Sequence, residues 1–129
     1  MRIEHVALWT EDLDRLASFF RTYFGACVGD SYTNVGKGFE SRFLTFDGGA
    51  RLEIMRTTAH SPVKCEPGAQ RMGLTHLALS VDSEQRVDEL TKRLRSDGFQ
   101  VVDGPRRTGD GYYESVVLDP DGNRIEITV

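Results

Sequence analysis

His5-Val6-Ala7-Leu8 has a near copy in His76-Leu77-Ala78-Leu79, and Arg51-Leu52-Glu53-Ile54 has one in Arg124-Ile125-Glu126-Ile127. The chain of 129 residues therefore reads as two similar halves, each with a histidine near its start and a glutamate near its end. Repetition at this spacing marks a duplicated supersecondary unit. Apolar and other residues alternate around each string, as in a half-buried strand. Val6 and Leu8 lie opposite His5, and Leu77, Leu79 and Val81 lie opposite His76. Glu53 shares a face with Arg51 and Met55, while Leu52 and Ile54 point the other way. Glu126 shares one with Arg124 and Thr128, opposite Ile125, Ile127 and Val129. In all four strands the potential ligand faces away from the branched aliphatics, so all four are expected on a concave face free of helices.

The surroundings of the strings repeat as well. After a strand over 2–9, Leu13, Leu16, Ala17, Phe20 and Phe24 follow helical spacing, and Gly25 stands at the expected C-cap. Strands are expected at about 27–34, 39–46 and 50–55, the last two joined by the turn signal Asp47-Gly48-Gly49. The second half has a strand over 74–81, Ser83 as N-cap, and an apolar stripe of Val87, Leu90 and Leu94 ending before Gly98. Strands at about 99–103, 112–118 and 124–128 follow, the last two joined by Asp119-Pro120-Asp121-Gly122-Asn123. The expected fold is α+β: two β-α-β-β-β modules, 1–55 and 74–129, forming a curved eight-stranded sheet with the helices on its outer face. Residues 56–73, with Pro62, Pro67 and Gly68, read as a linker loop.

Two imidazoles and two carboxylates, His5, Glu53, His76 and Glu126, make a full protein ligand set for a divalent cation such as Zn²⁺, Ni²⁺, Co²⁺, Mn²⁺ or Fe²⁺. An octahedral ion held this way keeps two positions for water or substrate and acts as a Lewis acid. Singly, a strand histidine or glutamate is more often structural or solvated; four with the same facing in a repeat favour metal binding. Other classes fit less well. Net charge is −4 with Lys and Arg scattered, which argues against nucleic acid. No apolar run approaches the ~20 residues of a membrane span. Residues 1–9 lack the pattern of a signal peptide. Cys27 and Cys65 have no C-x-x-C partner, so reduced thiols and a cytoplasmic location are expected.

The same residues resemble the vicinal oxygen chelate superfamily and, within it, glyoxalase I (lactoylglutathione lyase). The resemblance runs over nearly the whole chain: His5, the helix end Phe19-Phe20-Arg21-Thr22-Tyr23-Phe24-Gly25, the strand Arg51–Met55, the stretch Gly73–Ser80 and the terminal Asp119–Ile127. It implies one metal held by His5, Glu53, His76 and Glu126, with Ni²⁺ or Co²⁺ favoured and Zn²⁺ an alternative. It also implies a small-molecule substrate, the hemithioacetal of methylglyoxal and a low-molecular-weight thiol. Glu126 would remove the proton beside the carbonyl, with Glu53 as its counterpart, and reprotonation at the neighbouring carbon would give the lactoyl thioester. A homodimer is implied too, with the site formed within one chain or between two.

The sequence departs from glyoxalase I at two places. Trp9 stands where an arginine usually contacts glutathione, and Thr57 where an asparagine does. Trp9 shares the face of His5 and is read, with Met55 and Arg56, as substrate pocket; Arg56 and Lys64 are candidates for an anionic group. His60 and Cys65 have no partner at ligand spacing. Glu53 separates the chain from thiol transferases, which use two His and one Glu, and from epimerases, which carry Gln there. A bleomycin-type binding protein without enzymatic activity stays open as a further alternative.

Overall fold

The computed structural model describes residues 1–70 and 72–129. The chain divides into two compact units, Met1–Lys64 and Cys65–Val129. In the first, β1 (His5–Trp9) leads through α1 (Leu13–Phe24) to the short strands β2 (Cys27–Val28) and β3 (Tyr32–Asn34), then β4 (Phe39–Thr45) and β5 (Arg51–Thr57). In the second, β6 (Leu77–Ser80), α2 (Glu84–Ser96), β7 (Val101–Arg107), β8 (Tyr113–Leu118) and β9 (Arg124–Thr128) follow in the same order.

Each unit forms its own mixed sheet. The orders are β1-β5-β4-β2, with β3 also on β4, and β6-β9-β8-β7. In both, the first strand runs parallel to the last, and the remaining pairs are antiparallel. The helix that makes the parallel crossover therefore covers one face of its sheet.

Local chemistry sets the helix ends. The Asp12 side chain accepts the Arg15 N–H at 2.9 Å, and Gly25 closes α1 at φ 68°. Ser83 caps α2 by accepting from the Arg86 N–H at 3.2 Å. The inward stripe of α1, Leu13, Leu16, Ala17 and Phe20, packs against the face of Leu44, Leu52 and Ile54. Val87, Leu90 and Leu94 of α2 do the same against Val117, Ile125 and Ile127. Each of the Val, Leu, Ile and Phe side chains among them, removed from water, contributes roughly 1.5–3 kcal/mol before entropy is counted. Thr91 and Ser115, both buried in that second interface, satisfy one another through a 2.6 Å hydroxyl–hydroxyl hydrogen bond.

Three expectations are revised. The single strand over 27–34 is split into β2 and β3: the Gly29 N–H still donates to the Phe43 carbonyl at 2.9 Å, but residues 29–31 belong to neither strand. The sheets accordingly hold five and four strands. β5 runs on through Thr57, so 56–57 belong to a strand rather than to the linker; residue 71 of that linker lies outside the described residues. β7 extends to Arg107 and shifts register twice against β8. Gly104 permits this: at φ 73°, a Cβ on it would come within 2.5 Å of the Glu114 carbonyl oxygen. Among the described residues no helix is long and apolar enough to cross a membrane.

Candidate functional site

Each unit carries one His–Glu pair, built the same way. In the parallel register of β1 and β5, His5 stands opposite Arg51, Ala7 opposite Glu53 and Trp9 opposite Met55. His5 thus reaches Glu53 diagonally, past the small Ala7, with Nε2 and Oε2 3.8 Å apart. In the second unit Ala78 stands opposite Glu126, and His76 immediately precedes β6. Its Nε2 lies 3.5 Å from Glu126 Oε2. The exposures also repeat, 41% and 15% for His5 and Glu53 against 42% and 17% for His76 and Glu126. The duplicated strings have produced two equivalent donor pairs, one on the helix-free face of each sheet.

Both separations exceed an ordinary hydrogen bond of roughly 2.7–3.2 Å. Two donors on one cation, each ~2.1 Å from it, stand roughly 3.0–3.4 Å apart, so a small closure of either pair accommodates chelation. Imidazole nitrogen with carboxylate oxygen suits a borderline divalent ion. Each unit by itself offers two such donors; among the described residues no group of three or more His, Cys, Asp or Glu gathers at one point.

The imidazoles differ in what holds their other nitrogen. His5 Nδ1 donates to Glu4 Oε2 at 2.5 Å. The other Glu4 oxygen accepts from Arg51 Nε at 2.8 Å and Nη2 at 2.5 Å. The Arg51 guanidinium lies 3.9 Å over the Phe43 ring, and the His5 ring meets Phe43 edge-on at 5.5 Å. The hydrogen bonds from His5 and then Arg51 hold the Glu4 carboxyl below the usual carboxylate range. His76 Nδ1 instead has the Thr75 hydroxyl at 3.1 Å, where either group is able to donate.

Beyond the pairs the two faces diverge. On the first, Trp9 meets Phe39 edge-on at 6.2 Å and His60 at 5.7 Å, and Tyr32 lies 6.3 Å from Phe39. With Met55 beside Trp9, this end of the face is aromatic and apolar. Arg56 is elsewhere. Alternation turns it to the helix side of β5, where it binds Glu40 at 2.7 Å and lines a polar cleft of about 430 Å³ with Glu11, Asp14 and Arg42. On the second face, Glu114 stands opposite Arg106 and 3.6 Å from its guanidinium. Burial first, and then the Glu126 charge, push the Glu114 carboxyl above its usual range, with Arg106 acting in the opposite sense.

Glu4, Thr75, Arg106 and Glu114 are neighbours of the pairs that the sequence alone does not disclose, and Arg51 is one to which it assigns no role. For Arg51 the signal was in the repeated string, two residues before Glu53 and so on its face.

Comparison with known proteins finds relatives of similar sequence and fold. Over 131 aligned residues the chain is 26% identical to the uncharacterised protein YqjT of Bacillus subtilis, covering 97% of this chain and 96% of that one. A solved structure of a possible glyoxalase from Bacillus cereus is 26% identical, with a TM-score of 0.72 over 100% of this chain and 99% of its own. Glyoxalase I from Zea mays, 22% identical, shares the fold with a TM-score of 0.78 over 98% of this chain; the match spans 44% of the maize chain. The family model of the Glyoxalase/Bleomycin resistance protein/Dioxygenase superfamily matches residues 2–127, and the chain belongs to that superfamily.

Proposed function

We propose that the protein is a divalent-metal-dependent lyase or isomerase of glyoxalase I type, acting by proton abstraction beside a carbonyl. The observation that carries this reading is the repeated His–Glu pair, 3.8 Å in one unit and 3.5 Å in the other, in the same register beside an alanine. His5, Glu53, His76 and Glu126 would together hold one ion, Ni²⁺ or Co²⁺ by preference and Zn²⁺ otherwise. Because the modules are near copies, two units of one chain or of two chains in a homodimer deliver the same donors. When bound, the metal supplies Lewis-acid polarisation of the substrate carbonyl.

The proton transfers belong to the carboxylates. Glu126 removes the proton from the carbon beside the carbonyl and returns one to the neighbouring carbon, so the net change is an isomerisation with no redox partner. Glu53 stands as its counterpart on the other pair. A methylglyoxal–thiol hemithioacetal leading to the lactoyl thioester is the substrate class proposed, with the thiol small and other than glutathione. The aromatic lining at Trp9, in place of a cationic contact, supports that choice of thiol.

The test is reconstitution with Ni²⁺, Co²⁺ or Zn²⁺, elemental analysis, and methylglyoxal isomerisation assays with a panel of thiols. Bound metal with thiol-dependent turnover is expected; bound metal without it would redirect the reading to an epimerase or thiol transferase. One observation favours a second reading. The cluster of exposed Trp9 and Tyr32 with half-buried Phe39 also suits sequestration of a drug through a planar aromatic part, as in a bleomycin-type resistance protein. Retention of such a ligand by protein that takes up no metal would establish that alternative.

A further inference from the structure

We infer that Glu4 is a positioning residue of the first half-site: it fixes the His5 proton on Nδ1 and so presents Nε2 as a bare donor toward Glu53. The inference rests on the reading of His5 as a metal ligand. A carboxylate only accepts hydrogen bonds, so the 2.5 Å contact between His5 Nδ1 and Glu4 Oε2 requires the proton on Nδ1. The nitrogen left with its lone pair is the one facing Glu53. An outer partner of this kind, a carboxylate on the far nitrogen of a ligating imidazole, sets both tautomer and ring orientation.

Glu4 is itself held from two directions. Its backbone carbonyl accepts from the Arg51 N–H at 3.0 Å, and its carboxylate takes two bonds from the Arg51 guanidinium, which rests on Phe43. Phe43 also meets the His5 ring, so imidazole, carboxylate and guanidinium are packed around one aromatic side chain. Among the described residues the second half-site has no counterpart. The Thr75 hydroxyl both donates and accepts, so it leaves the proton of His76 free to sit on either nitrogen. The first pair is therefore set for a cation before one arrives, and the second becomes so on binding.

Two measurements on the full chain test this. In the metal-free protein at about pH 8, where an ordinary imidazole is neutral, long-range ¹H–¹⁵N correlation spectra show which nitrogen carries each proton. His5 is expected in the Nδ1–H form in the wild type and to lose that preference in Glu4→Ala, with His76 unchanged. Ni²⁺ affinity, measured by chelator competition, is expected to weaken by roughly 10–100-fold in Glu4→Ala and to recover in part in Glu4→Gln, whose amide oxygen still accepts. Glu4 is largely exposed, so circular dichroism should show both variants folded. An unchanged His5 tautomer in Glu4→Ala, or a Ni²⁺ affinity within about twofold of wild type, overturns the role of Glu4. Failure of the wild type to bind Ni²⁺, Co²⁺ or Zn²⁺ would overturn the ligand reading of His5 instead, and the tautomer measurement would still decide what Glu4 does.

Discussion

Ala7 stands beside Glu53 in the parallel register of β1 and β5, and its single methyl leaves open the diagonal along which His5 approaches that carboxylate. Ala78 and Glu126 repeat the arrangement. Neither alanine is buried, so a larger side chain at either place should leave the core intact while crowding the glutamate. Forcing a side chain off its rotamer costs roughly 0.5–1.5 kcal/mol. That is roughly a two- to tenfold loss of affinity. Ala7→Leu and Ala78→Leu are each expected to weaken Ni²⁺ binding by that amount with little change in melting temperature. Unchanged affinity in both would contradict the diagonal geometry.

Glu126 is assigned the proton transfer, and the conservative test is Glu126→Gln, which keeps its size and removes its basicity. Losing a positioned general base costs roughly 10²–10⁴-fold in rate. Turnover of the hemithioacetal should fall by that amount. Isomerisation at the wild-type rate would remove Glu126 from the role.

The sheet faces were readable because alternation has a strict period of two: each glutamate has buried Leu or Ile on either side of it, and each histidine is followed by half-buried aliphatics at alternate places, Val6 and Leu8 or Leu77 and Leu79. What the residues next to the strings do was not. Glu4 precedes His5 in sequence, and strand alternation would put it on the opposite face. It lies before β1 begins, however, where that constraint lapses, and its side chain turns back to His5 Nδ1. Thr75 escapes the same rule before β6. Arg106 was hidden for another reason. Two register shifts between β7 and β8 break the simple count of which residue faces which, and Gly104 gives no hint of them beyond its identity.

Trp9 and Arg56 make a pair of opposed expectations. Trp9 is the only tryptophan in the chain, so its fluorescence reports directly on the aromatic end of the first face. A substrate or planar ligand seated there should change that emission, and Trp9→Ala should raise KM by roughly tenfold, a loss near 1.4 kcal/mol, with kcat little altered. Arg56 faces the helix side and is paired with Glu40 at the surface. Such exposed pairs contribute roughly 0–1 kcal/mol. Arg56→Ala is expected to leave KM, kcat and metal affinity within about twofold of wild type. A KM change at Arg56 as large as that at Trp9 would return it to the substrate pocket.

Asp119 offers a test of stability away from the donor pairs. It is 4% exposed, and its two oxygens collect the N–H groups of Asp121 and Asn123 and the Asn123 side-chain amide, each at 2.9 Å. Burial raises its pKa above the ordinary 3.8, and the bonds from Asn123 and Asp121 offset only part of that. Between 3.8 and the raised value, the folded chain keeps a proton that the unfolded chain has released. The unfolding free energy that Asp119 contributes therefore falls as pH rises through that window and is level above it. Asp119→Asn abolishes the titration while its amide oxygen keeps both backbone contacts, and Asn123 is able to turn its own amide to match. The stability of wild type minus that of Asp119→Asn, from urea unfolding at intervals between about pH 3.5 and 7, should decline with rising pH. Asp119→Ala strands the two backbone donors and should cost roughly 1–3 kcal/mol at any pH. A wild-type advantage over Asp119→Asn that grows with pH would show that the loop prefers the charged carboxylate, and that its hydrogen bonds outweigh burial.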